Sequence, residues 1–157
     1  MRPVLSAEEV RAYLRSVFPQ MEREGAALDI AAVGDSTVIM RLHAGETHLR
    51  PGGTVSGPSV FGLVDAAAYV VILAHVGPVG LAVTTSAQID FLVRPAPGAL
   101  SCEASLLKLG RRLAVVDARV RDEAGTLVAR ASLTYSLPPD WDAESPASVS
   151  GAAEAGG

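Results

Sequence analysis

One cysteine stands in 157 residues, and that scarcity excludes two classes of protein. Cys102 alone can form neither an intrachain disulfide framework nor a cysteine-rich zinc site. A surplus of positive charge is also missing. Thirteen Lys and Arg face seventeen Asp and Glu, a net charge of −4, with a pI of about 5.3. That balance argues against an electrostatic nucleic-acid binder. His43, His48 and His75 have no metal-ligand spacing and fit no Ser-His-Asp order, so no metal is expected and surface or loop roles are expected for all three. No basic segment followed by an apolar core opens the chain, so no signal peptide is expected. The apolar run at 60–76 is short for a membrane span and carries Gly62, Asp65 and His75, which favours a buried helix. What is present, 49% hydrophobic and 19% charged residues, suits one cytoplasmic domain with a real core and no membrane or nucleic-acid partner.

Ser6-Ala-Glu-Glu9 is a capping-box pattern that opens a helix over about 6–18. Val10, Tyr13, Leu14 and Val17 share one face of it, and Pro19 ends it. Ala26–Val33 and Thr37–Leu42 read as strands joined at Gly34-Asp35-Ser36. A loop rich in glycine and proline follows, from Ala44 to Gly57. Pro58 suits a first helical turn, where its missing N–H would be unpaired anyway. The helix it opens, about 58–76, is apolar nearly all round and stops at Gly77-Pro78. Four strands come next: Leu81–Val93, Leu100–Leu109, Arg112–Arg121 beyond the Gly110-Arg111 turn, and Thr126–Ser136.

Period-two alternation gives these strands one apolar face. In the first, the odd positions from Leu81 to Val93 are apolar or Thr85, so Thr85 is expected to face the core and Thr84 the polar side. Cys102 alternates with Ala104 and Leu106, as a small buried residue would. Short links demand antiparallel neighbours. The order α, β, β, long α, β, β, β, β therefore predicts an α+β fold in which an antiparallel sheet curls around one apolar helix. Residues 1–139 form a single domain in this reading. Residues 140–157, rich in Ala, Gly, Ser and Glu, have little to bury apart from Trp141 and are expected to be a disordered tail.

Asp65 is the only charged residue in the stretch from Val60 to Ala74. A carboxylate there is costly unless something compensates it. Just upstream, Arg50-Pro-Gly-Gly-Thr-Val-Ser-Gly-Pro58 opens the helix and offers free backbone N–H groups. Carboxylate and helix N-terminus together suggest a hydrolytic site. Eight residues of helix separate Asp65 from Gly57, about 12 Å at 1.5 Å per residue. One chain's Asp65 therefore cannot meet its own helix N-terminus at a single carbonyl, and a partner's helix would supply the other half.

Three segments carry a family resemblance. Gly53-Thr-Val-x-Gly57 stands in register with Asp65, Ile89-Asp-Phe-Leu-Val-Arg-Pro-Ala96 ends a strand, and Lys108-Leu-Gly-Arg-Arg-Leu-Ala-Val115 forms a hairpin. Over roughly residues 45–137 the chain resembles the hotdog-fold acyl-CoA thioesterases of the phenylacetate-degradation (PaaI-like) type. Ser56 stands where that family has His, Arg50 where it has Asn, and Pro58 where it has a second Gly.

The resemblance implies an acyl-CoA substrate, no separate cofactor, and a homodimer or homotetramer with its site between subunits. It makes Asp65 the general base or nucleophile, with Thr84 holding the attacking water. The Gly57 N–H would polarise the carbonyl, the more so as Pro58 has none to offer. Ser56 is either a hydrogen-bond donor to the carbonyl or water, or a plain cap. Arg50, Lys108, Arg111 and Arg112 are candidates for the CoA phosphates, and Phe61 and Tyr69 for walls of the acyl pocket. A non-catalytic acyl-CoA-binding or structural hotdog subunit is the alternative, since the family's His is gone. A hotdog hydratase is less well supported, because no His can be placed near an Asp or Glu.

Overall fold

Ser6 caps the first helix, α1 (Ala7–Val17), in the computed structural model, which describes residues 1–21, 27–139 and 141. The Ser6 hydroxyl accepts from the Glu9 N–H at 3.2 Å, and the Glu9 carboxylate accepts from the Ser6 N–H at 2.8 Å. The Ser6 N–H, and after it the Ser6 side chain, lower the Glu9 pKa below its ordinary value. Val10 and Leu14 are buried against the body, but Val17, expected on that same face, is 46% exposed. The tail expected over 140–157 lies outside the described residues, apart from Trp141. That indole N–H donates to the Arg111 carbonyl at 2.7 Å.

β1 (Leu28–Gly34) and β2 (Thr37–Ala44) form a hairpin turned by Asp35 and Ser36, with Ser36 at φ +55°. α2 (Gly57–Val76) follows, then β3 (Val83–Phe91), β4 (Gly98–Leu109), β5 (Leu113–Arg121) and β6 (Leu127–Ser136). The strands make one antiparallel sheet in the order β1-β2-β4-β5-β6-β3. It curls around α2, which is the hotdog fold.

The alternation read in β5 and β6 holds: Ala114, Val116, Ala118 and Val120, and then Ala129, Ala131, Leu133 and Tyr135, are all nearly inaccessible. They meet a helix buried on almost every side, including Leu63, Val64, Val71 and Leu73. By length and composition α2 could also span a membrane, yet here it is the wrapped core helix. Each such leucine or valine contributes roughly 1.5–3 kcal/mol by leaving water.

Two expectations fail. His75 is not at the surface but 4% exposed. Its Nε2 accepts from the Ser36 N–H at 3.0 Å, and its Nδ1–H donates to the Val71 carbonyl at 2.7 Å. Inside the sheet the last turn of α2 is interior, and the β1–β2 turn needs an acceptor there.

The second failure concerns β3. Its register on β6 slips between Thr84 and Ser86, a bulge around Thr85. Cross-strand partners share a face. Thr84 therefore points with Tyr135 toward the helix, and beyond the slip Ala87, Ile89 and Phe91 point the same way, with Leu133, Ala131 and Ala129. Thr85, expected in the core, is exposed.

Candidate active site

Asp65 sits midway along α2, half-buried, with the inner face of β3 and β6 opposite. Its Oδ1 accepts two hydroxyls, from Thr84 at 2.7 Å and from Tyr135 at 2.6 Å. The Tyr135 hydroxyl also lies 3.0 Å from the Asp65 carbonyl. Burial, and then its hydrogen bond to Asp65, push the Tyr135 phenol well above its ordinary range, so it keeps its proton and donates. Tyr69 stacks on Tyr135 with ring centroids 6.4 Å apart. No hydrogen bond among the described residues reaches the second carboxylate oxygen, Oδ2. Asp65 and Thr84 line a cleft of about 710 Å³, with His48, Ser59, Tyr69 and Tyr135 among its other polar walls. A carboxylate held through one oxygen, with the other unengaged, can take a proton from water or attack directly.

Gly57 belongs to a different cleft. The loop before it turns at Gly52 and Gly53, whose φ angles of +102° and +81° only glycine adopts freely. The Gly53 N–H donates to the Arg50 carbonyl at 3.0 Å, and the Ser56 N–H to the His48 carbonyl at 2.8 Å. These bonds set the entry to α2. Ser56 is its N-cap: its hydroxyl accepts from the Ser59 N–H at 3.3 Å and donates to the Ser59 hydroxyl at 2.8 Å. The Val60 N–H reaches the Ser56 carbonyl, and Pro58 has no N–H. Among the described residues the Gly57 N–H is thus left without an acceptor at the positive end of the helix. It faces a cleft of about 410 Å³ that Arg50, Phe91 and Arg94 also line.

The expected residues therefore divide. Asp65, Thr84 and Tyr69 gather in the larger cleft, and Gly57 and Arg50 in the smaller. Phe61, expected as a pocket wall, lines neither. Helical spacing explains this: Ser59, Gly62, Asp65, Ala66 and Tyr69 form the cleft-lining stripe, and Phe61 falls off it. Lys108, Arg111 and Arg112 are exposed at the β4–β5 hairpin and line neither cleft. Cys102 is buried, as expected, and burial pushes its thiol up to about 12.

Two residues were not foreseen. Tyr135 looked like one more apolar position of β6, and only the pairing with β3 sets it over Asp65. Arg94 carried a signal, the Arg-Pro-Ala ending of its strand, that was read for family and not for charge.

Residues 52–129 match the family model described as Thioesterase superfamily. The chain is 48% identical to a candidate thioesterase from Silicibacter sp. TM1040, covering 88% of this chain and 96% of that one, with a TM-score of 0.79. The PaaI protein of the Escherichia coli phenylacetic acid degradation operon shares the fold at 17% identity, over 85% of this chain and 96% of that one, TM-score 0.72. So does a hypothetical thioesterase of Streptococcus pneumoniae solved with coenzyme A, at 18% identity, over 80% and 96%, TM-score 0.71. No protein of curated function matches the chain.

Proposed function

Because this chain belongs to the thioesterase superfamily, we propose that it hydrolyses acyl-CoA thioesters at a site shared by two subunits. The observation that carries the reading is the Asp65 carboxylate, held through Oδ1 by Thr84 and Tyr135 in a cleft large enough for a small ligand. The Gly57 N–H of the partner's helix polarises the thioester carbonyl, and the helix dipole favours the charge that develops on its oxygen. Asp65 takes a proton from water as the water oxygen bonds to the carbonyl carbon. The carbon–sulfur bond then breaks, CoA leaves as its thiol, and a carboxylic acid remains. If Asp65 attacks directly, the same bond breaks and water cleaves the resulting anhydride.

Thr84 holds Asp65 in place rather than the water, since its hydroxyl donates to Oδ1. Ser56 acts as the helix cap, and its departure from the family's His lowers the rate rather than moving the mechanism. Arg50 and Arg94, beside Gly57, are placed to meet CoA phosphates. No cofactor besides the CoA of the substrate is needed, and the cytoplasm, where CoA esters are made and used, is the proposed location.

Purified protein offered a panel of acyl-CoA esters should release free thiol, and Asp65→Asn should cut turnover by about 10²–10⁴-fold with little change in KM. After single turnover in oxygen-18 water, label in the Asp65 carboxyl marks it as nucleophile; label in the product alone, with no acyl-Asp65 anhydride trapped by hydroxylamine, marks it as base. Binding of CoA esters with no turnover would favour the non-catalytic subunit instead, a reading that the tie between Ser56 and Ser59 also fits.

A further inference from the structure

The cleft at Asp65 continues past it. Its wall on α2 runs from Ser59 to Tyr69, about 15 Å of helix. α1 begins beside the far end of α2, where the Val4 and Leu5 N–H groups reach the Ala74 carbonyl at 2.7 and 3.1 Å. It then runs back toward Tyr69. There the Tyr13 hydroxyl accepts from the Gly80 N–H at 2.8 Å, and the Gly80 carbonyl accepts from the Tyr69 hydroxyl at 2.9 Å. This clasp holds the end of α1 over the cleft. Val17 and Phe18 line it there while remaining 46% and 43% exposed.

Nothing among the described residues covers these two side chains, although Val17 continues the buried face of α1. Leu28, Leu42 and Leu63 line the same space, and among the described residues no Lys or Arg does. The Tyr69 hydroxyl is spent on Gly80 and that of Tyr135 on Asp65. Half-open apolar side chains on a cleft of ligand size call for an apolar occupant. Continuity with Asp65 names it.

We propose that the hydrocarbon tail of the acyl group lies under the end of α1, and that Val17 and Phe18 set how long a neutral tail the protein accepts. The position of the thioester is taken from the function proposed above. Among the described residues no Lys or Arg would meet a tail ending in a second carboxylate, so its desolvation should penalise such acyl groups.

Thioethers of CoA cannot be hydrolysed, so they read binding apart from chemistry. In calorimetric titrations of the full-length protein, affinity should rise from S-methyl-CoA to S-octyl-CoA, by up to about fourfold for each methylene fully buried. An S-octyl analogue ending in a carboxylate should bind at least about tenfold more weakly than S-octyl-CoA. Phe18→Ser and Val17→Ser lie at exposed positions, and thermal melts check that both variants fold. Each should lower the octyl-to-methyl affinity ratio by about fourfold, roughly one methylene's worth. Phe18→Trp should move the break in the series to a shorter chain. A flat series, or an unchanged ratio in both serine variants, overturns the proposal. A rising series lowered by Phe18→Ser in a protein that hydrolyses no acyl-CoA would refute the thioesterase reading and keep this one. Asp65-dependent turnover with a flat series would do the reverse.

Discussion

Two inactive variants should make an active mixture if the site is built from two chains. Gly57→Pro removes the free N–H with little other change. Ser56, at φ −69° and ψ 152°, already has the extended backbone that precedes proline. The first helical turn tolerates proline, and a Cβ at 57 would rest 3.5 Å from the Phe91 ring, an ordinary contact. Loss of an oxyanion donor typically costs about 10²–10³-fold in kcat, and Asp65→Asn about 10²–10⁴-fold. Each variant alone should therefore retain on the order of 1% of activity or less. In a mixed dimer one site carries both lesions and the other carries neither. Random pairing makes about half the dimers mixed, so the one-to-one mixture should recover about a quarter of wild-type turnover. Co-expression of the two variants, followed by free-thiol release, measures this. A mixture no more active than the mean of its parents would mean that Asp65 and Gly57 serve one site within one chain, and the separation of about 12 Å along α2 would have been misjudged. A strictly monomeric protein in light scattering at micromolar concentration would refute the reasoning by another route.

Tyr135→Phe removes a buried hydroxyl from a carboxylate and should cost about 1.5–3 kcal/mol, on the order of 5 °C in Tm; an unchanged melt would show that the hydroxyl does nothing for Asp65. Ser56→Ala leaves the Ser59 N–H without its cap and should cost about 1 kcal/mol of stability, with kcat reduced on the order of tenfold. An acyl-serine trapped at Ser56 and seen by mass spectrometry would make that residue the nucleophile and refute the Asp65 mechanism. Burial raises the Cys102 thiol from 9.0 to about 12. The folded state thus favours the protonated thiol, and the stability this contributes is complete below about pH 9 and lost as pH climbs toward 12, on the order of 1 kcal/mol per pH unit. Urea melts of Cys102→Ala should show a shallower alkaline decline than wild type, although Tyr135, also raised, begins to contribute above pH 10. Parallel pH profiles would contradict it.

Much of the fold was legible because its signals are local. The Ser6 and Glu9 capping box, the all-round apolar character of α2 and the alternation of β5 and β6 each depend on neighbours within one element. Asp65 was legible for a related reason, since a lone carboxylate in an apolar helix asks for partners. Its hydrogen bonds were not, although the resemblance names Thr84 beside it. Tyr135 lies 70 residues away and Thr84 19 residues away, and only the sheet's register brings them to one oxygen. His75 misled for the same reason: whether the last turn of a helix is inside or outside depends on what wraps it.

The β3 bulge shows how a site can hide in a regular pattern. A one-residue slip turns every later side chain to the other face. The odd positions of this strand read as one continuous apolar face, yet Val83, before the slip, pairs with Ser136, while Ala87, Ile89 and Phe91, after it, pair with buried residues of β6. No glycine or proline at Thr84-Thr85-Ser86 marks the place. Without the slip, Thr84 would face outward and Asp65 would lose one of its two donors. Before the slip Val83 is left 56% exposed, and at the far end of the strand Phe91, though turned inward, is 53% exposed. β3 ends the sheet, so its outer backbone edge also lacks a neighbour among the described residues. Phe91 lies over Gly57, which puts this unpaired edge beside the N–H that, in the function proposed above, serves the other chain's Asp65. If the site is shared by two chains, as proposed above, this open edge of β3 is where a second copy would come to complete it.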